Sequence, residues 1–128
     1  MLVRGIRGAT TVETNSREAI LAAAGELLLA MVDANAVEHD HVASVIFSTT
    51  PDLNAEFPAV AARNMGWTDI ALMCGHEMSV PGGLPRCLRI LMHVNTERGI
   101  SEIKHIYLHE AQALRPDLTP GQTVEATR

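Results

Sequence analysis

The sequence predicts a single α+β domain in which one long amphipathic helix packs against about five strands. Three observations carry this. A 3.6-residue apolar repeat runs from Ile20 to Val32, a strict two-residue alternation runs from Cys87 to Asn95, and further short β-branched runs flank both. One sheet face reads as aliphatic and the other carries Arg and His, which places the core on one side only.

Leu2 to Val12 reads as a strand interrupted by Gly5 and Gly8, where a bulge or the close approach of another backbone is expected. Asn15 then reads as a helix cap, with Glu18 three residues on completing a capping box. Ile20, Leu21, Ala24, Leu27, Leu28, Met31 and Val32 form one buried stripe, and Asn35 is the expected stop. Val42 to Thr50 is a second strand and 51–57 a loop. Pro58 to Met65 suits a short helix with Pro at its start and Gly66 after its end. Ile70 to Cys74 is nearly all apolar and reads as a buried strand, followed by the Pro81-Gly82-Gly83 turn.

Two more strands follow. In the first, Leu88, Ile90, Met92 and Val94 share one face, while Cys87, Arg89, Leu91, His93 and Asn95 share the other. In the second, Ile103 to His109, Ile106 and Leu108 oppose His105, Tyr107 and His109. The domain is expected to span 1–118, with 119–128 a flexible C-terminal tail.

Composition narrows the function. Hydrophobic residues make up 47% of the 128 but aromatics only 3%, so the core must be aliphatic and small, a situation in which oligomerisation often helps. A net charge of -5 with Lys104 as the one lysine gives no basic stripe for nucleic acid. Cys74 and Cys87 make no C-x-x-C pair or disulfide framework, which suits a reduced cytoplasmic setting. Neither a leader nor an apolar run of membrane-spanning length is evident, so a soluble protein is expected.

Familiar catalytic signatures are missing. The sequence holds no G-x-x-x-x-G-K-[ST], no G-x-G-x-x-G and no serine in a nucleophile elbow. His39 and His41 lie in a polar connector and make a weak metal pair, short of the three or four ligands zinc needs. His105 and His109, four apart on a strand, would stand ~13 Å from each other. Neither a metal nor another cofactor is expected.

What stands out is arginine in apolar strand contexts. Arg7 lies between glycines, Arg89 in the middle of an alternating strand, and Arg115 after another apolar stretch. A guanidinium cannot deprotonate, so burying one without an acceptor costs several kcal/mol. Each could simply pair with an acid. Three together, with Glu77 and Tyr107 available, point to a pocket for a small polyanion, because the planar fork grips carboxylates bidentately. Cys74 reads more simply as a small apolar residue at a strand end.

Several blocks of residues then bring a family into view. The opening Val3-Arg4-Gly5-Ile6-Arg7-Gly8-Ala9-Thr10-Thr11-Val12-Glu13 resembles the start of the monofunctional chorismate mutases of the Bacillus type. The resemblance continues in Ser48-Thr49-Thr50-Pro51-Asp52-Leu53, Phe57-Pro58-Ala59 with Ala62-Arg63, and Glu77-Met78. It extends through Gly82-Gly83-Leu84, Cys87-Leu88-Arg89, His105-Ile106-Tyr107-Leu108 and Leu114-Arg115-Pro116-Asp117-Leu118, covering residues 2 to 118 in order. It implies a homotrimer whose three mixed sheets form a barrel-like core (a pseudo-α/β-barrel) with helices outside, and active sites between subunits. Arg7, Glu77, Arg89, Tyr107 and Arg115 match the family's polar site positions. Phe57, Ala59, Arg63, Leu72, Met73, Cys74 and Leu114 match its other pocket-lining positions. The chain departs at Val60, where some relatives carry a lysine near the pocket mouth, and is one residue shorter around Asn64-Met65-Gly66.

The implied reaction is the unimolecular [3,3] rearrangement of chorismate, a dicarboxylate, to prephenate. It needs no nucleophile, metal or proton transfer, which agrees with the missing motifs. Negative charge grows on the ether oxygen as its C–O bond breaks, and a preorganised cation there favours the transition state over the substrate. The resemblance assigns that place to Arg89. Arg7 and Tyr107 are then expected on the side-chain carboxylate, Glu77 on the ring hydroxyl with Cys74 beside it, Phe57 and Leu114 as walls, and Arg115 as a closing group. Two other functions would fit the residues: a trimeric imine/enamine deaminase, and a non-catalytic sensor of a carboxylated metabolite.

Overall fold

A computed structural model describes residues 1–115. Five strands form one mixed sheet: β1 (Leu2–Thr11), β2 (Val42–Thr49), β3 (Ala71–His76), β4 (Cys87–Thr96) and β5 (Ile106–Tyr107), in the order β3-β2-β4-β1-β5. The long strand β4 is central and antiparallel to both β1 and β2, while β3 and β5 add in parallel at the two edges. Two α-helices complete the chain, α1 (Arg17–Asn35) and α2 (Ala59–Asn64), with short 3-10 turns at His39–His41, Ile100–Glu102 and His109–Leu114. Among the described residues no helix is long and apolar enough to cross a membrane.

The alternation of β4 divides the molecule. Leu88, Ile90, Met92 and Val94 are buried beneath the helices, and Ile6, Val45, Phe47 and Ile106 join them from the neighbouring strands. From α1 the stripe Ile20, Ala24, Leu27, Leu28 and Met31 is fully buried against this face, each larger side chain contributing ~1.5–3 kcal/mol. Gly8 lets the helix come this close. A Cβ there would stand 2.4 Å from the Met31 sulfur and 3.0 Å from Leu27 Cδ1. Gly8 therefore marks a close approach, and neither glycine of β1 makes a bulge, since β1 pairs with β4 without interruption from Leu2↔Thr96 to Thr11↔Cys87.

The start of α1 differs from expectation, while its last residue is Asn35, the expected stop. Ser16, not Asn15, caps it, its Oγ accepting from the Ala19 N–H at 3.1 Å. Asn15 instead ties down the loop before α2, its Oδ1 accepting from the N–H groups of Asn54 and Ala55, both at 3.0 Å. At the other end Ala36 takes the left-handed turn. Asn35 is buried and clamps the approach to β5: its Nδ2 donates to the carbonyls of Met31 and Lys104, and its Oδ1 accepts from the Lys104 N–H.

Two strands also differ. The apolar run at 70–74 belongs to β3, which is not buried but lies at the sheet edge, with Ala71, Met73, Gly75 and His76 exposed. The pattern from Ile103 to His109 yields only a two-residue strand, because β5 meets β1 at Gly8 and Ala9 alone and His109 turns the backbone to positive φ. Leu108 keeps its place in the core regardless. Residues 116–128, including the expected tail, lie outside the described region.

Candidate functional site

On the face away from α1 the register lines up one row of residues across the sheet. Gly75, Ser48, Arg89, Ala9 and Tyr107 are successive cross-strand partners from β3 through β2, β4 and β1 to β5. Arg7 lies one row along on the same face, opposite Leu91, and its backbone N–H donates to His105 Nδ1 at 3.0 Å. Arg7 and Arg89 are exposed rather than buried in the chain, so the desolvation expected for them is not present here. Tyr107 is buried, packed with Ala9 and Ala111 and flanked by Leu84 and Leu114.

Glu77 follows β3 directly and reaches this row. Its backbone N–H donates to the Thr49 carbonyl at 2.7 Å, and its Oε2 accepts from the Ser48 hydroxyl and stands 3.7 Å from Arg89 Nε. The pair opens into a cleft of about 600 Å³ whose lining includes Asp52, Val80, Cys87 and Leu114. The loop bearing Asp52 is locked to β4 through Cys87, whose N–H donates to Thr50 Oγ1 and whose carbonyl accepts from the Thr50 N–H. Asp52 accepts from the Thr50 hydroxyl and from the Arg86 N–H, and these bonds hold its carboxyl below the usual carboxylate range. Burial pushes the Cys87 thiol up, so it stays protonated beside Arg89.

His105 links the remaining cations. Burial and then the charges of Arg7 and Arg115 push its imidazole down, which keeps Nδ1 free to accept from Arg7. Arg115 is thereby placed in the same electrostatic neighbourhood as Arg7. Arg7, Glu77, Arg89, Tyr107 and Leu114 thus gather on one side of the sheet, with the charge of Arg115 felt at His105.

The other expected residues do not join them. Phe57, Ala59, Arg63, Leu72, Met73 and Cys74 line a separate cavity of about 290 Å³ between α2 and the edge strand. Alternation along β3 turns Leu72 and Cys74 toward the helical side, where both pack against the main core. Within one chain Cys74 therefore does not lie beside Glu77, contrary to expectation. Within one chain the expected residues thus fall into two sets, one beside Glu77 and Arg89 and one around α2 and β3, with Met73 alone of the second set on the Arg89 face of the sheet.

Ser48, Cys87 and His105 were not among the expected site residues. Cys87 and His105 did share predicted strand faces with Arg89 and Tyr107. Ser48 carried no local signal, because its place beside Glu77 depends on the parallel register of β2 and β3. The histidines of the polar connector are engaged separately: His39 Nε2 with Asp69 at 2.8 Å, and His41 Nδ1 with Glu38 at 3.4 Å. Among the described residues no group of three or more His, Cys, Asp or Glu could hold a metal ion.

The chain is similar to known proteins over nearly its whole length. The profile of the family "chorismate mutase type I" matches residues 3–118. A chorismate mutase AroH from Thermus thermophilus is 48% identical over 122 residues, covering 94% of this chain and 100% of the relative. One from Bacillus subtilis strain 168 is 42% identical over 126 residues, covering 98% and 99%. The solved structure of a chorismate mutase from Clostridium thermocellum superposes with a TM-score of 0.85 at 51% identity, covering 86% of this chain and 98% of that one. With matches of this depth over nearly its whole length, the chain belongs to the type I chorismate mutase family.

Proposed function

We propose that the chain is a chorismate mutase, converting chorismate to prephenate on the route to phenylalanine and tyrosine, and that it works as a cytoplasmic homotrimer with its sites between subunits. The observation that carries this reading is the Arg89–Glu77 pair, held in register at the mouth of an open cleft with Arg7 and Tyr107 on the same sheet face. Arg89 projects from the central strand and stabilises the ether oxygen as it gains charge. Glu77 accepts the ring hydroxyl and faces the positive character that develops in the ring. Arg7 and Tyr107 hold the side-chain carboxylate and keep the enolpyruvyl group folded over the ring, and Arg115 closes the site.

The split of the pocket into two half-sites supports the trimer. Phe57 is 67% exposed and Met73 66%, with Ile46 at 38% beside it on the open face. An unpaired edge strand with apolar side chains is a surface that a second copy covers. The half-site of Phe57, Ala59, Arg63, Leu72, Met73 and Cys74 would then complete the Arg89 cleft of its neighbour.

The test is incubation of the purified protein with chorismate, following loss of its absorbance, alongside sedimentation equilibrium. Turnover by a trimer is expected. A folded protein that leaves chorismate unchanged but hydrolyses an imino acid belongs to the deaminase reading. One that binds chorismate without turnover is a sensor, and a fully active monomer overturns the shared site.

A further inference from the structure

We propose that Ser48 is a positioning residue: its hydroxyl holds the Glu77 carboxylate off Arg89, leaving the guanidinium available to the ligand. This rests on the mutase reading and adds to it a residue that does not touch the reacting atoms.

Three observations carry the inference. Ser48 is the cross-strand partner of Arg89 on one side and of Gly75 on the other, so its side chain emerges between the central strand and the edge. Nothing stands within 4 Å of where a Gly75 Cβ would be, which leaves the row open on that side. Glu77 is then held twice by β2, through its N–H to the Thr49 carbonyl and through its Oε2 to the Ser48 hydroxyl.

Arg89 Nε stands 3.7 Å from the oxygen that Ser48 occupies, well beyond the ~2.7–2.9 Å of a charge-assisted hydrogen bond. Glu77 and Arg89 are close enough to attract yet are not joined. Remove the hydroxyl, and the nearest strong donor to that oxygen is the guanidinium itself. A bidentate Arg–carboxylate pair would form, neutralising in the ground state the charge that is needed at the ether oxygen in the transition state. Ser48 therefore acts through Glu77 on Arg89.

The experiment is a double-mutant cycle of steady-state kinetics on chorismate with Ser48→Ala, Glu77→Gln and the double variant, plus Ser48→Thr as the conservative rescue. One hydrogen bond to a charged group is at stake, so Ser48→Ala should lower kcat about tenfold or more, with KM changing by less than about threefold. Ser48→Thr keeps the hydroxyl and should restore most of the loss. In the Glu77→Gln background Ser48→Ala should cost less than about twofold, because there is no carboxylate left to hold.

A folded Ser48→Ala protein with near-native kcat, or an equal loss in both backgrounds, overturns the proposal. If Ser48→Ala does not fold, Ser48→Cys takes its place, since a thiol is a weak donor of similar size; near-native kcat there is equally fatal. A native protein that turns over no chorismate overturns the mutase reading, and this proposal with it. Native turnover with an indifferent Ser48 overturns this proposal alone.

Discussion

Arg89→Ala separates folding from catalysis more cleanly than other changes at this site. Arg89 lies in β4, paired with Ser48 on β2 and Ala9 on β1, so its backbone is fixed on both sides whatever side chain it carries. Its side chain is 44% exposed, and its ion pair with Glu77 spans 3.7 Å. A half-exposed pair at that distance contributes at most ~1 kcal/mol to stability. Loss of the side chain should therefore move the unfolding temperature by only a few degrees, or about 2–8 °C per kcal/mol at this chain length. The catalytic loss should be much larger. Removing one preorganised donor from a developing oxyanion costs ~10²–10³ in turnover, or about 2.7–4 kcal/mol. Arg89→Ala should thus lower kcat at least a hundredfold, by about that factor, with a smaller change in KM. Arg89→Lys should recover part of this, because one ammonium does not reproduce the fork. Arg7→Ala is the contrast: it removes a contact to a carboxylate charged in both states and should raise KM as well. Chorismate turnover and thermal unfolding, measured on the same preparations, decide the matter. An Arg89→Ala protein that melts like the parent and keeps near-native kcat would refute the assignment.

Three further outcomes are expected. Gly8→Ala should destabilise by ~1–3 kcal/mol through overpacking against Met31 and Leu27, while Gly25→Ala in α1, with nothing within 4 Å of the new methyl, should stabilise by ~0.5–1 kcal/mol; urea unfolding of both variants checks the opposite signs. Asn35→Ala should cost ~1–3 kcal/mol by leaving the Lys104 backbone groups without their partner, and Asn35→Asp should not rescue it, because it keeps the acceptor but loses both donations from Nδ2. His105 has its folded value below the ordinary ~6.5, so its share of stability is complete above that pH and is lost as pH falls through the lowered folded value. His105→Gln should flatten that part of a melting-temperature profile; an unchanged slope counts against the imidazole as its source.

What could be read in the sequence was what repeats locally. Leu88, Ile90, Met92 and Val94 announce a two-residue period over a long strand, and the same period places Arg89 on the opposite face. The stripe of α1 is legible for the same reason. What could not be read depended on partners distant in the chain. Ser16 and Asn15 are both good capping types, and Asn15 is taken by the backbone at 54–55. The apolar run ending in Cys74 looks buried, yet strand order puts it at an edge. Alternating residues continue to His109, but β5 stops at Tyr107, because the chain turns away into a 3-10 segment at His109 with positive φ. Cys74 lies in β3 and Glu77 just beyond its end, on the opposite face of the sheet, so proximity along the chain misled where alternation would have corrected it.

That last point bears on how such a small chain can serve a dicarboxylate. α1 and α2 cover only one side of the sheet, and the aliphatic core is complete there. The other side mixes Arg7 and Arg89 with Ile46, Leu91 and Met73, a composition too polar for a second core and too apolar for water. A ligand with two carboxylates on a hydrocarbon ring needs cations and apolar walls together, and in one chain the cations over β1 and β4 stand apart from most of the walls, which gather around β3 and α2. A head-to-tail contact, in which the β3 edge of one copy meets the Arg89 cleft of the next, would join the two sets, and such a contact closes into a ring when the rotation permits. Assembly under the proposed trimer would then remove water from Arg89 and supply its missing wall in one step. The guanidinium, exposed in one chain, would gain strength from the lowered dielectric only where a neighbour has docked. On this reading the expense of arginine in an apolar strand is real, but it is incurred in the assembled site rather than in the isolated fold.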